Sequence, residues 1–396
     1  MNSETVKVGM VGLGLVAKSH FKGYATHQHA QVVAVCDTDR TRAEAFAAKH
    51  GIANVYTSYE EMLQKAAIDI VDIATPTFLH IPMTQKAAEA GKHIHCEKPF
   101  CRSIAEGQEA CQAVRRRGVK LVVGETYVFI ASHLKARQLI EEGAIGHPLQ
   151  IRQRHGPWLR RKSRSGGQTS AKRRSAPGWR MDGEKSGGGD YPWIFDHAVH
   201  FFATAEFFML DRKIAEVYAV VGTCQRQSEK EQAQGSTYSL PEVDIPIITW
   251  KYEDTDCQGV WLRAERLNGK YDYMHGFSTT IIGARGMIEV LGEGGHNLLW
   301  GNQQQHLVLH RDGQQTRCFR FDEGGDDIWD SDICYYSQGH INQIHHLIDS
   351  ILADTEPRYT GVDGVHAVRC TLATILSARE GRPIQLHEIK ADYTAY

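Results

Sequence analysis

No run of eighteen or more apolar residues occurs anywhere in the 396-residue chain, so no transmembrane helix is expected. Charge of one sign is also missing. The formal net charge is −2, and no global field favours nucleic acid or an anionic membrane surface. The nine cysteines are scattered with no Cys-x-x-Cys, and no Cys/His set has zinc spacing. They read as reduced, mostly buried thiols, and no metal site is expected. The chain becomes strand-like by Val6, which leaves no room for a signal peptide and implies the cytoplasm. What remains is an ordinary soluble composition, 23% charged and 42% hydrophobic, in a length that favours two domains.

The first part of the chain alternates short apolar runs with amphipathic stretches. Strands are expected at Val6 to Val11, Gln31 to Cys36, Ile68 to Ala74, up to Cys96, and Lys120 to Val123. Helices are expected through Tyr24, over Thr41 to His50, over Pro82 to Ala90 and over Ser103 to Arg117; the last two are closed by Gly91 and Gly118. Continuous apolar strands between such helices mean a parallel sheet covered on both faces. After a helix at Ile130 to Glu142 the rhythm changes. β-like runs follow from Leu149 to His310, and Ile341 to Leu352 and Val362 to Arg379 read as closing helices. The expected fold is therefore an α/β Rossmann domain over residues 1–126 and an α+β domain with a mostly antiparallel sheet over 127–396. The helix at about 362–380 is a candidate to pack back on the first domain.

Gly12-Leu13-Gly14-Leu15-Val16-Ala17 follows a strand and opens a helix. Gly12 permits the tight turn, Gly14 lets a pyrophosphate approach the backbone, and Ala17 lets the helix pack on the strand; Leu15 and Val16 complete the cradle. Asp37, about 20 residues further on, is where a carboxylate accepts ribose hydroxyls, which favours NAD over NADP. Arg40 is the counterweight, a guanidinium able to tolerate a 2′-phosphate. Thr75, Pro76 and, a turn later, His80 follow the next strand and read as cofactor neighbours; the competing reading is a loop that caps a helix. Glu97-Lys98-Pro99 ends the strand after that, on the same edge of the sheet. An amine there can stabilise the alkoxide that develops during hydride transfer.

A second constellation lies in the other domain. Gly187-Gly188-Gly189 precedes Asp196-His197-Ala198-Val199-His200. On a helix Asp196 and His200 share a face, so the carboxylate can orient the imidazole or bind substrate while His200 moves a hydroxyl proton. His197 points elsewhere and is the weaker candidate. Trp179, Arg180 and Lys185 before the glycines, and Tyr127 beyond the last Rossmann strand, are further substrate contacts. Arg160 to Lys185 holds nine Lys/Arg against two acids. It reads either as a solvated insertion or as a basic lid or subunit contact.

These motifs, in this order, resemble the Gfo/Idh/MocA family of oxidoreductases. So do Ile282 to Val290 and Ala378-Arg379-Glu380-Gly381-Arg382-Pro383. The resemblance implies an open-faced sheet that makes homodimer or homotetramer contacts. It implies a cis Lys98–Pro99 bond, a sugar, polyol or glycoside substrate, Lys98 as the catalytic lysine and His200 as its acid/base partner. Two departures stand out: Ala198 replaces the family's usual Gly, and the spacing from Gly189 to Asp196 is long. The leading expectation is an NAD(P)-dependent sugar or polyol dehydrogenase. The alternatives are a glycosidase working by transient oxidation, which some relatives use, and a non-catalytic nucleotide sensor.

Overall fold

Six short strands line up in the order β3-β2-β1-β4-β5-β6, all parallel: β1 (Val6–Val11), β2 (Ala30–Cys36), β3 (Asn54–Tyr56), β4 (Ile70–Ile73), β5 (His93–Glu97) and β6 (Leu121–Gly124). The protein is seen here as a computed structural model. It describes residues 5–155, 178–224, 243–253, 255–263, 277–291, 306–321 and 335–396. Residues 160–177 of the basic stretch, one of the sequence's most conspicuous features, lie outside them.

The connecting helices are α1 (Ala17–Thr26), α2 (Arg40–His50), α3 (Tyr59–Lys65), α4 (His80–Glu89) and α5 (Ile104–Arg117). Their ends follow local chemistry. Asp39 caps α2 and Ser58 caps α3, while Ser103 and Glu106 form a capping box on α5; Gly51 and Gly118 close α2 and α5 in the left-handed region. β3 and α3 were not expected from the sequence. A three-residue strand carries no readable period, and α3 spans fewer than two full turns.

The second sheet has nine strands, in the order β14-β13-β12-β11-β7-β10-β9-β8-β15. After α6 (Ala131–Glu141) and β7 (Pro148–His155) come the short helices α7 (Gly178–Met181) and α8 (Gly183–Ser186), then α9 (Pro192–Phe208). The remaining strands are β8 (Ile214–Cys224), β9 (Val243–Tyr252), β10 (Gln258–Arg263), β11 (Phe277–Gly283), β12 (Gly286–Leu291), β13 (His306–Arg311), β14 (Arg317–Arg320) and the short β15 (Ile384–Gln385). Among the described residues every pairing in this sheet is antiparallel except β7 with β10.

One face of this sheet is packed. Trp261 stacks on Phe201 of α9 at 4.4 Å between centroids, and Phe202 meets Trp250 edge-on at 5.5 Å. The helix is buried along nearly all its length, so its few polar side chains stand out. Two long helices close the chain. α10 (Tyr335–Leu352) sets Ile344, Leu347 and Ile348 into the same cluster as Val8, Met10 and Tyr24, completing one face of the parallel sheet. α11 (Gly361–Glu380) lies between α5 on one side and α9 and β8 on the other. Among the described residues no helix is long and apolar enough to cross a membrane.

The glycine run before α9 has a packing cause. A Cβ on Gly189 would stand 1.9 Å from the carbonyl oxygen of Ala395, and its φ is +56°. Arg379 clamps the same segment, donating to that carbonyl at 2.5 Å and to Asp190 at 3.0 Å. Gly189→Ala is expected to destabilise the fold by about 1–3 kcal/mol, measured by chemical denaturation, because neither backbone has room to retreat. An unchanged denaturation midpoint would show that the 393–396 segment does not seat there.

Candidate active site

The turn after β1 is shaped to admit an anion. Gly12 has φ +85°, and a Cβ there would meet the carbonyl oxygen of Ala74 at 2.6 Å, so only glycine holds this turn against β4. Gly14 faces open space, with no atom within 4 Å of a Cβ built on it. Leu15 is exposed beside it, Val16 is half-buried, and no side chain caps α1; the Ser19 and His20 N–H groups turn back to the Val16 carbonyl, and the very start of the helix is left for a ligand. These residues fit a dinucleotide pyrophosphate.

Asp37, at the end of β2, is buried and ties this turn down. It accepts from the N–H groups of Leu13 and Asp39, each at 2.9 Å, and both its oxygens meet the Arg42 guanidinium at 3.1 Å. Arg40, the residue expected to temper Asp37, instead pairs with Glu44 at 2.9 Å. The cation beside the ribose position is therefore Arg42. Helical side chains lean toward the N-terminus, which sends Arg42 back to Asp37 from the first turn of α2.

Lys98 follows the last residue of β5, and its bond to Pro99 is cis. Its ammonium crosses to α9, donating to the Asp196 carbonyl at 3.0 Å and to the Asp196 carboxylate at 3.2 Å. Both side chains are nearly closed to solvent. Burial alone would raise the Asp196 pKa. The positive charges of Arg180 and Lys98 overcome it and hold the carboxyl far below the ordinary range.

His200, one turn further along α9, does not lean on Asp196 as the sequence spacing implied. Its Nδ1 donates to Glu125 Oε1 at 2.6 Å, and Tyr127 stacks on its ring at 4.4 Å and 15°. Glu125 is wholly buried just after β6 and also accepts from the Tyr127 N–H at 3.2 Å. With Nδ1 committed, Nε2 is the nitrogen left to handle a proton. Glu125 is the functional residue the sequence reading passed over. The carboxyl-edge argument that singled out Lys98 applies equally to the residue after Gly124.

The other expected contacts divide. Arg180 approaches Asp196 at 3.6 Å and lies 5.5 Å from the ring of the half-buried Trp179, so both border the site. Lys185 turns away to Asp182 at 3.2 Å. His197 donates from Nδ1 to the Trp193 carbonyl at 3.1 Å, and burial together with nearby Arg263 pushes its pKa well down. Glu97 is buried, with one oxygen on His20 and the other on the Lys98 N–H.

His80 is closed to solvent rather than lining the crevice. Its two nitrogens lie 2.8 Å from the carbonyls of Pro99 and Thr75, so it staples the lysine loop to the Thr75–Pro76 loop. Burial lowers its pKa, so a single N–H serves one carbonyl at a time. Thr75 and Pro76 stay half-buried at the crevice.

Among the described residues three side-chain groups bring donor atoms within reach of a shared cation: His20 with Glu97 and His340, His20 with Asp72 and His95, and Glu206 with His366 and Cys370. In the first two, His20 already bridges both carboxylates. In the third, Glu206 is taken up by Lys213 at 2.7 Å and His366 at 2.6 Å.

Residues 6–125 match the Gfo/Idh/MocA model described as oxidoreductase family, NAD-binding Rossmann fold, and residues 137–386 match that family's C-terminal alpha/beta domain. The D-apiose dehydrogenase of Paraburkholderia graminis is 26% identical over 98% of this chain and 92% of its own length. The 1,5-anhydro-D-fructose reductase of Ensifer adhaerens is 30% identical over 51% of this chain and 56% of its own. The matches to the first curated relatives span between 46% and 66% of their lengths. A levoglucosan dehydrogenase solved with NADH and levoglucosan superposes with a TM-score of 0.74 at 22% identity, covering 97% of this chain and 100% of that one.

Proposed function

Because the chain belongs to the Gfo/Idh/MocA family of oxidoreductases, we propose that it oxidises a secondary alcohol of a sugar or polyol to the ketone, reversibly, with NAD as the hydride acceptor. The observation that carries the reading is the meeting of Lys98 with Asp196 across the cleft, one helical turn from a His200 held by Glu125. Bound at the Gly12–Val16 turn, NAD supplies a nicotinamide that takes up hydride. Lys98 donates to the substrate oxygen and stabilises its developing negative charge, and His200 Nε2 accepts the hydroxyl proton. Asp196 holds the lysine, and with Arg180 and Trp179 it forms the wall that meets sugar hydroxyls. Relatives that include an inositol 2-dehydrogenase and a D-glucoside 3-dehydrogenase support this substrate class.

Asp37 favours NAD, since its carboxylate repels a 2′-phosphate; Arg42 beside it makes that preference one of degree. The test is reduced-nicotinamide absorbance with a panel of polyols, aldoses and glycosides. No turnover on any of them, together with release of a chromogenic aglycone without added cofactor, would replace this reading with a glycosidase.

The reading extends to a homo-oligomer through the outer face of the second sheet. Val220, Ile247 and Leu262 are cross-strand neighbours there, 51%, 51% and 41% exposed, an aliphatic row that the described residues leave uncovered. Ile247→Glu is expected to shift the protein from oligomer to monomer in sedimentation. A wild-type protein that already sediments as a monomer would remove this part of the proposal.

A further inference from the structure

A closed polar cluster lies within the parallel sheet behind Lys98, and the proposed reaction leaves it without a task. His20, in the first turn of α1, places Nδ1 2.9 Å from Asp72 Oδ1 on β4 and Nε2 3.1 Å from Glu97 Oε1 on β5. His20 and Asp72 are wholly buried and Glu97 nearly so. The other Glu97 oxygen accepts from the Lys98 N–H at 3.2 Å. A Cβ on Gly124 would stand 2.8 Å from Glu97 Oε1, so β6 is kept bare to make room for this carboxylate. A single ring therefore ties three elements together: the helix that opens at the phosphate cradle, the neighbouring strand, and the strand end that carries the lysine.

We infer that His20 is a positioning residue, an imidazolium clamped between Asp72 and Glu97 that couples the phosphate-binding helix to the backbone of Lys98. The inference rests on the proposed reaction at Lys98. Both ring nitrogens face carboxylate oxygens, and an ionised carboxylate only accepts, so both nitrogens must carry hydrogen for both contacts to be bonds. A neutral ring leaves one carboxylate facing a lone pair inside the core.

The surrounding groups agree. From α1 itself comes Tyr24, whose hydroxyl pKa is pushed well up by burial and by Asp72. From β5 come Glu97 and His95, the latter with Nδ1 3.3 Å from Asp72. From α10 comes His340, 5.1 Å from the His20 ring and pushed down to about 3 by burial and by the His20 charge. Burial alone would lower the His20 pKa; Asp72 and then Glu97 overcome it and lift it to about 10. Burial would likewise raise Glu97, but His20 brings it down to about 2. Raised in this way, His20 contributes stability that is complete below its ordinary pKa of 6.5 and is lost as pH rises toward about 10. Glu97 contributes stability present above its ordinary 4.5 and lost as pH falls through about 2.

The test is nitrogen-15 NMR of the histidine rings of the wild-type protein, with the His20 signals identified by their absence in His20→Gln. Both His20 nitrogens are expected to stay protonated from pH 6 to 8.5, while exposed rings titrate. In kinetics, His20→Gln is expected to lower kcat by roughly 10- to 100-fold with the KM for NAD nearly unchanged, the size expected of a misplaced reacting group. His20→Gln/Glu97→Gln should fall little further than Glu97→Gln alone. Ordinary titration of His20 near pH 6.5, or wild-type kcat in a folded His20→Gln, would overturn the inference. The NMR reading needs no substrate. A wild type that turns over no alcohol therefore defeats the proposed reaction, while ring protonation still decides the clamp.

Discussion

Lys98→Met is expected to lower kcat by roughly 10²- to 10⁴-fold while leaving NAD affinity within a few-fold of wild type. Methionine keeps most of the buried stem and removes only the ammonium. In the proposed reaction that ammonium is the donor nearest the oxygen on which charge develops, and its loss is felt in the transition state more than in binding. The same ammonium also neutralises Asp196, and a buried carboxylate deprived of its cation costs on the order of a few kcal/mol. Arg180 at 3.6 Å retains part of the compensation. A drop in activity alone would therefore not separate chemistry from damage.

The double variant Lys98→Met/Asp196→Asn makes the separation. It removes both charges, so the thermal midpoint is expected to return toward wild type while kcat stays low. Recovery of kcat with stability would mean that Lys98 serves the fold and not the reaction. Low pH provides a second check. Asp196 is held far below its ordinary 3.8, so its contribution to stability is present above that value and is lost only in stronger acid. The Asp196→Asn background should lack that acid-side fall.

What could be read from the sequence was what is local along it. Gly12, Gly14 and Ala17 announce a cradle because a turn, a close approach and a helix–strand contact each need a small residue at a fixed offset. Lys98 was legible because a short apolar run ends there, and the carboxyl edge of a parallel sheet faces the crevice. Side-chain pairing was not legible. Asp196 and His200 share a helix face, yet one turns to a lysine 98 residues away in sequence and the other to a glutamate 75 residues away. Arg40 is nearer to Asp37 along the chain than Arg42, yet Asp39 sets the start of α2 and so makes Arg42 the one that leans back. His20, Asp72, His95 and His340 are dispersed over 320 residues and meet only once the sheet has formed. The glycines noted before α9 owe at least Gly189 to the 393–396 segment that packs against it.

Glu125→Leu is expected to lower kcat by roughly 10²- to 10³-fold, and Glu125→Gln by much less. The hydrogen on His200 Nδ1 lies on the Glu125 carboxylate, which fixes the ring so that Nε2 carries the lone pair. Leucine removes the acceptor. The ring is then free to exchange tautomers, and the form with hydrogen on Nε2 cannot accept a proton from the substrate hydroxyl. The Tyr127 N–H loses its acceptor at the same time, loosening the ring that stacks on His200. Glutamine offers a carbonyl oxygen of the same reach to both donors, so it preserves the tautomer and forfeits only the charge. Substrate deuterated at the reacting carbon is expected to show a larger isotope effect on kcat in Glu125→Leu than in wild type, because the slowed hydride and proton step becomes rate-limiting. Equal losses in Leu and Gln would assign the effect to the negative charge. Wild-type kcat in a folded Glu125→Leu would remove His200 from the proton's path.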